Sequence, residues 1–244
     1  MARTLIIVED DSDKYIFEAI IRHIHLQDNL SVTTTDWKSI ADEANADKPT
    51  GLIKGLKGLL NDISNEKYDK IGIVKDMDTN TISDRLLLVN NALKEAYPDA
   101  AQEIKDVNNL VPFTFIQNGT ELPITVHFAC YFIHVINEKG IAKGEIEDIL
   151  RAIKAKDSPI ADCVDEHLPN CLNINNEHEL REKDLVKLWF NHYQRYDTLE
   201  KKYRTFPFTT TRHIMENRSD IFDFDKNDLP EFSELKDFLK KLSA

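Results

Sequence analysis

Two short apolar runs in this chain stop at acidic residues. Residues 4–8 (TLIIV) lead into Glu9, Asp10 and Asp11, and residues 71–74 (IGIV) lead past Lys75 into Asp76, Met77 and Asp78. Short apolar runs ended by polar residues fit buried strands. In open α/β sheets, ligands gather beyond the carboxyl ends of the strands. Residues two apart on an extended strand point the same way. Both carboxylates of Asp-Met-Asp can therefore face one cation, and hard cations such as Mg²⁺ take oxygen ligands. The structural alternative is local. Acids commonly begin helices, so Asp10, Asp11 or Ser12 can cap the first helix and residues 78–81 can form an ordinary turn.

The remaining pattern places these runs in an alternating fold. Residues 12–26 carry Tyr15, Ile16, Ala19, Ile20 and Ile24 at helical spacing, with Ser12 as the expected cap. LSVTTT reads as a strand. Residues 50–63 read as one helix whose three glycines imply a close backbone approach or a frayed start. Residues 81–97 read as a helix opened by a Thr81–Asp84 capping pair, with Pro98 just after it. ITVHFACYFIHVI reads as a buried strand pair, and residues 145–154 as a helix with Ile146, Ile149 and Leu150 inward. Strand and helix signals alternate through residues 1–160, predicting an α/β core with a mainly parallel central sheet flanked by helices. Residues 161–244 read as a mostly helical extension packing on that core, closed by the amphipathic FSELKDFLKKL.

Composition narrows the function classes. The net charge is −12, so nucleic acid is repelled at long range unless a local basic patch or metal ions intervene. The best patch lies in residues 195–212, where Arg195, Lys201, Lys202, Arg204 and Arg212 surround Tyr203 and Phe206; its plainer reading is a solvated helix face. The apolar run at the start is too short for a signal-peptide core, and no segment reaches membrane-spanning length. Three cysteines without a secretory signal imply reduced thiols and a cytoplasmic location.

A third acidic group, Glu145, Glu147 and Asp148, follows the strand signal FIHVI. Glu147 is placed to reach the same sheet edge, while first-turn helix chemistry accounts equally well for all three.

LIIVEDDSDKYIFEAI resembles the opening motif of the Toprim superfamily, and IGIVKDMDTN resembles its Asp-x-Asp motif. HVINEKGIAKGEIEDIL and the closing FDFDKNDLPEFSELKDFLKKL resemble OLD-like, uncharacterised Toprim-related proteins of the DUF3226 and DUF4435 kind. The resemblance implies a Toprim-like Rossmannoid sheet and a metal-dependent nuclease or phosphodiesterase acting on nucleic acid, in phage defence or DNA repair. It assigns Glu9, Asp76 and Asp78 as catalytic, and Glu9, Asp13, Asp76, Asp78 and Glu147 as ligands of Mg²⁺ or Mn²⁺. It admits an ATPase partner, and it offers Lys183 as a catalytic lysine by position. Asp10 stands where that superfamily often has glycine, adding bulk and negative charge beside the site.

Two other readings compete. A catalytically inactive Toprim-like scaffold suits the acidic charge and Asp10. A receiver-like domain with Asp76 or Asp78 as phosphoacceptor suits IVEDD, although the interval from Glu9 to Asp76 is long for it.

Overall fold

The computed structural model describes residues 4–35, 50–65, 67–78, 80–100, 102–116, 123–136, 142–173 and 182–244. Strand β1 (Thr4–Val8) lies between β2 (Leu30–Thr34) and β3 (Lys70–Asp76), parallel to both. Next to β3, and parallel to it, runs β5 (Pro123–Ile133); β4 (Val111–Ile116) closes the edge antiparallel to β5. The order β2-β1-β3-β5-β4 makes a mostly parallel, Rossmann-like sheet. It departs from the 2-1-3-4-5 order of receiver-type sheets, which weighs against the phosphoacceptor reading.

The central strands read as unbroken apolar runs because both of their faces are buried. Ile6, Val8, Val74, Ala129, Tyr131 and Ile133 point to one face. Leu5, Ile7, Ile71, Ile73, Phe128, Cys130 and Phe132 point to the other. The second face is covered by α2 (Thr50–Gly58), α3 (Leu60–Ser64) and α4 (Ile82–Ala96). The first is covered by α1 (Asp11–His23), α5 (Ile146–Ala152) and elements of the C-terminal third. These are α6 (Pro159–Asn173), α7 (Glu182–His192), a π-helical turn at Tyr193–Asp197, α8 (Thr211–Asn217) and α9 (Pro230–Ser243). The docking of α9 is direct: Phe238 stacks on Tyr131 with ring centroids 5.4 Å apart, and Thr4 Oγ1 donates to the Leu242 carbonyl at 3.0 Å.

Three local expectations change. Residues 50–63 form two helices broken at Leu59 rather than one. Gly55 answers the question its neighbours raised, because a Cβ there would stand 2.0 Å from Thr35 Cγ2, so α2 approaches the end of β2 too closely for a side chain. ITVHFACYFI is one long strand; the chain breaks at His134, and β6 (Val135–Ile136) pairs with β7 (Ala142–Lys143) instead of returning into the main sheet. Of the three residues open as the cap of α1, Asp10 takes the role rather than Ser12: its Oδ1 accepts from the Ser12 and Asp13 amides at 2.8 and 3.1 Å. The Thr81–Asp84 capping box opens α4 as expected.

Cys130 is buried and its thiol is pushed up to about 12 by burial, while Cys163 is exposed; both are free. The Cys171 side chain lies outside the described residues. Among those residues no helix is long and apolar enough to cross a membrane.

Candidate metal centre

The acids converge at the carboxyl edge of β1 and β3, and each is placed by its own local device. Glu9 leaves the end of β1 and accepts from Lys75 Nζ at 2.7 Å; the two side chains retain only 15% and 7% of their exposure. Asp10, by capping α1, fixes the first helical turn so that Asp13 lies against the same edge. Asp76 ends β3, is itself buried, and accepts the Ile146 amide of α5 on Oδ1 at 3.1 Å.

Two residues of left-handed backbone then join this edge to α5. Asp78 has φ +50° and Gly144 has φ +129°. Their backbones exchange two hydrogen bonds: Asp78 N donates to Gly144 O at 3.0 Å, and Gly144 N donates to Asp78 O at 3.2 Å. This clasp sets Glu145 at the N-cap of α5 and Glu147 in its first turn, both buried. Asp148 Oδ2 accepts the Glu145 amide at 2.9 Å, so Asp148 serves the helix start, whereas Glu145 and Glu147 turn toward Asp76. One oxygen from each of Asp76, Glu145 and Glu147 lies within 4.8 Å of the others.

Cations border the cluster. Arg85, buried in the first turn of α4, donates to Asp78 Oδ2 at 2.6 Å and to the Met77 carbonyl at 3.3 Å. Lys187 of α7 reaches Glu145 Oε2 at 2.9 Å. These partners do not neutralise the acids. Burial holds the Asp76 carboxyl well above the usual carboxylate range, and the charges of Asp13, Glu147, Glu9 and Glu145 raise it further. Asp13 is raised in the same way, by burial and then by Asp10, Glu147 and Glu9. Glu147 is pushed up to about 7 by burial, against the opposing charge of Lys187. Glu145 is raised by burial, with Lys187 opposing and the nearby Asp78 carboxyl adding to the shift. For Lys187 burial alone would lower the pKa, but Glu145, Glu147 and Asp76 outweigh it and raise it. Buried carboxylates that repel one another need protons or a cation to settle. An oxygen-only donor set suits a hard divalent ion.

Of the residues expected from sequence, Glu9, Asp13, Asp76 and Glu147 come together here. Asp78 lies beside them but is committed to Arg85 and touches Glu145. Glu145, read from sequence only as a helix-start acid, completes the closest carboxylate group. Its signal was present in Lys-Gly-Glu-Ile-Glu, since a glycine before the cap allows the turn that points the cap side chain inward. The Lys183 side chain lies outside the described residues; from α7 it is Lys187, one turn further along, that reaches the acids, beside Lys75 of β3.

The family described as "Protein of unknown function (DUF3226)" matches residues 3–244. The chain belongs to this family. Among curated proteins and among solved structures, nothing matches it. The DUF3226 match spans both the sheet and the C-terminal helices, so the segment that supplies Lys187 falls within the family's extent.

Proposed function

We propose that this DUF3226 protein is a divalent-metal-dependent phosphodiesterase acting on nucleic acid, with Mg²⁺ or Mn²⁺ held between Asp76, Glu145 and Glu147. The observation that carries the reading is the approach of these three buried carboxylates to within 4.8 Å. The upward shift of their carboxyls, caused first by burial, supports it, because a cation would relieve the same cost. A metal bound there would polarise a phosphoryl oxygen and ease departure of the leaving oxygen. The chain's own residues do the rest. Arg85 fixes Asp78, and through it the clasp to Gly144 that aims Glu145. Lys187 is placed beside the carboxylates, where it can meet a phosphate oxygen as a mobile point charge. Glu9, held by Lys75, and Asp13 line the approach and keep a second set of oxygens near the first. The Toprim resemblance of the strand ends agrees with this reading.

One feature favours a metal-free scaffold instead. Lys75–Glu9, Arg85–Asp78 and Lys187–Glu145 already form ion pairs, so part of the cluster satisfies itself. Calorimetric titration separates the two readings. The phosphodiesterase reading expects saturable binding of Mg²⁺ or Mn²⁺, together with metal-dependent cleavage of a labelled oligonucleotide. Asp76→Asn and Glu147→Gln should each weaken metal binding by more than the roughly 10–100-fold typical of losing an outer-sphere partner, and should abolish cleavage. Absence of binding heat at millimolar metal, or full cleavage by Asp76→Asn, would leave the scaffold reading in possession.

A further inference from the structure

The cationic, aromatic stretch between residues 195 and 218 takes no part in the cluster described above. Its cations outnumber its anions two to one in a chain of net charge −12. It also carries exposed aromatic surface. Phe206 is 81% exposed, and Tyr203 and Phe208 are more than one-third exposed. Phe208 meets Tyr203 edge-on at 5.5 Å and His213 at 5.2 Å. Together with Leu199, Asn217 and Arg218 they line a cleft of about 540 Å³. A solvated helix face would not turn its aromatic rings outward, because exposing them forfeits hydrophobic stabilisation.

The stretch is built to hold that shape. Arg204 donates to the Leu199 and Tyr196 carbonyls at 3.0 and 2.9 Å, and Arg195 donates to the Arg204 carbonyl at 3.2 Å. Arginines so engaged form the frame. Lys201 and Lys202 stay at the exposed rim, with Lys202 Nζ 4.7 Å from the Tyr203 ring centre and 3.1 Å from Glu200 Oε2, a solvent-exposed pair that a phosphate can displace. The stretch is joined to the acidic edge through α7, which carries Lys187 and runs directly into the π-helical turn that begins the stretch. Its other end packs on α1, where Arg212, at the start of α8, lies 5.6 Å from the ring of Tyr15.

We propose that Tyr203, Phe206 and Phe208, with Lys201 and Lys202, form a binding surface for single-stranded nucleic acid that leads to the acidic edge. The chemistry selects a single strand. Exposed rings stack on bases only where the bases are unstacked, and interleaved lysines follow a phosphate backbone without reading sequence. A duplex hides its bases from the exposed rings, so it is left with the phosphate contacts alone. This inference rests on the phosphodiesterase reading only in giving the bound strand the role of substrate.

Fluorescence anisotropy on the full-length chain tests it. The probes are labelled oligothymidylate and oligouridylate of about 12 nucleotides, within the range of known single-strand site sizes, measured in EDTA with a duplex as comparison. Both single strands, or one of them, should bind more tightly than the duplex, and the preferred one identifies DNA or RNA. Phe206→Ala should weaken binding about tenfold with an unchanged melting temperature, since its side chain is solvent-exposed. The double variant Lys201→Ala/Lys202→Ala should reduce the slope of log affinity against log salt by about 1.4. Equal or tighter duplex binding, no single-strand binding, or wild-type affinity in Phe206→Ala would overturn the proposal. Because the assay needs no metal, the two readings fail separately. Strand binding without metal binding or cleavage removes the phosphodiesterase reading alone. Metal-dependent cleavage at wild-type affinity in Phe206→Ala removes this one alone.

Discussion

Glu147 has an ordinary pKa of 4.5 and is raised to about 7 in the folded protein, first by burial. The sign of the consequence follows from proton linkage. Between these two values the folded chain holds a proton that the unfolded chain has released, so stability declines as pH rises through that window. The stabilising contribution is complete below pH 4.5 and is lost as pH passes about 7. For this group alone the loss amounts to about 3 kcal/mol, and the raised Asp13 and Asp76 act in the same direction. Metal-free protein should therefore melt at a lower temperature near pH 8 than near pH 5. Mg²⁺ or Mn²⁺ should restore the loss at the higher pH, since a cation favours the ionised carboxylates. Glu147→Gln should flatten the pH slope, melt higher than wild type near pH 8 in chelator, and lose most of the metal response. Parallel pH slopes for variant and wild type in EDTA would contradict this account. At this scale the strand-end acids were legible because local pattern places them: an apolar run stops and a carboxylate follows. Their partners were not. Lys75 meets Glu9, Arg85 meets Asp78 and Lys187 meets Glu145 across 66, 7 and 42 positions of sequence, and only the pairing of strands and the docking of α7 bring the distant ones into reach.

Among the elements, α5 does most to make the site. It is only seven residues long, too short to hold itself by propagation alone, so its orientation comes from its start. That start is the clasp between Asp78 and Gly144, followed by the bond from the Glu145 amide to Asp148. Gly144 is required there twice over. Its φ of +129° is one that residues with a Cβ rarely adopt, and a Cβ would stand 2.8 Å from Asp148 Oδ2 and 3.3 Å from Val135 Cγ2. Gly144→Ala should cost about 1–3 kcal/mol of stability. It should also weaken metal binding, because the displaced cap carries Glu145 with it. Urea unfolding and metal titration of the same variant check both halves. A destabilised variant with wild-type metal affinity would show that Glu145 is not aimed by the clasp. Helix starts with side-chain caps, such as Thr81–Asp84, were readable because the cap and its partner are three residues apart. The pairing of β6 with β7 was not, because the apolar HVI that follows β5 has the composition of a core strand. Its separation from the main sheet is decided by the break at His134 and by pairing with β7.

At the scale of the whole molecule, the sequence pattern suggested a sheet core with a helical extension, and the packing joins them through one shared core. Ile6, Val8, Val74 and Tyr131 of the sheet lie in the same apolar cluster as Trp189, Tyr193, Ile214, Phe232, Phe238 and Leu239 of the C-terminal third. Without those helices one face of β1, β3 and β5 would lose much of its cover. Each exposed large side chain would forfeit about 1.5–3 kcal/mol, against a total stability of only about 5–15 kcal/mol for a typical folded protein. The two parts should therefore unfold together. Trp189 reports on the C-terminal third, being fully buried, stacked on Tyr193 at 5.0 Å and hydrogen-bonded through Nε1 to Asp162 at 2.7 Å. The chain has two tryptophans, so Trp37→Phe leaves Trp189 as the sole fluorophore of its kind. In urea, the fluorescence of that variant and its far-ultraviolet circular dichroism, which follows the backbone throughout, should trace one coincident transition. Phe238→Ala should shift both by the same amount, lowering stability by about 3–5 kcal/mol. The shared core requires that coincidence. A fluorescence transition completed while a substantial part of the circular dichroism remained would mean that the sheet stands without its C-terminal cover, and Lys187, on that cover, could then leave the acidic edge while the carboxylates stayed in place.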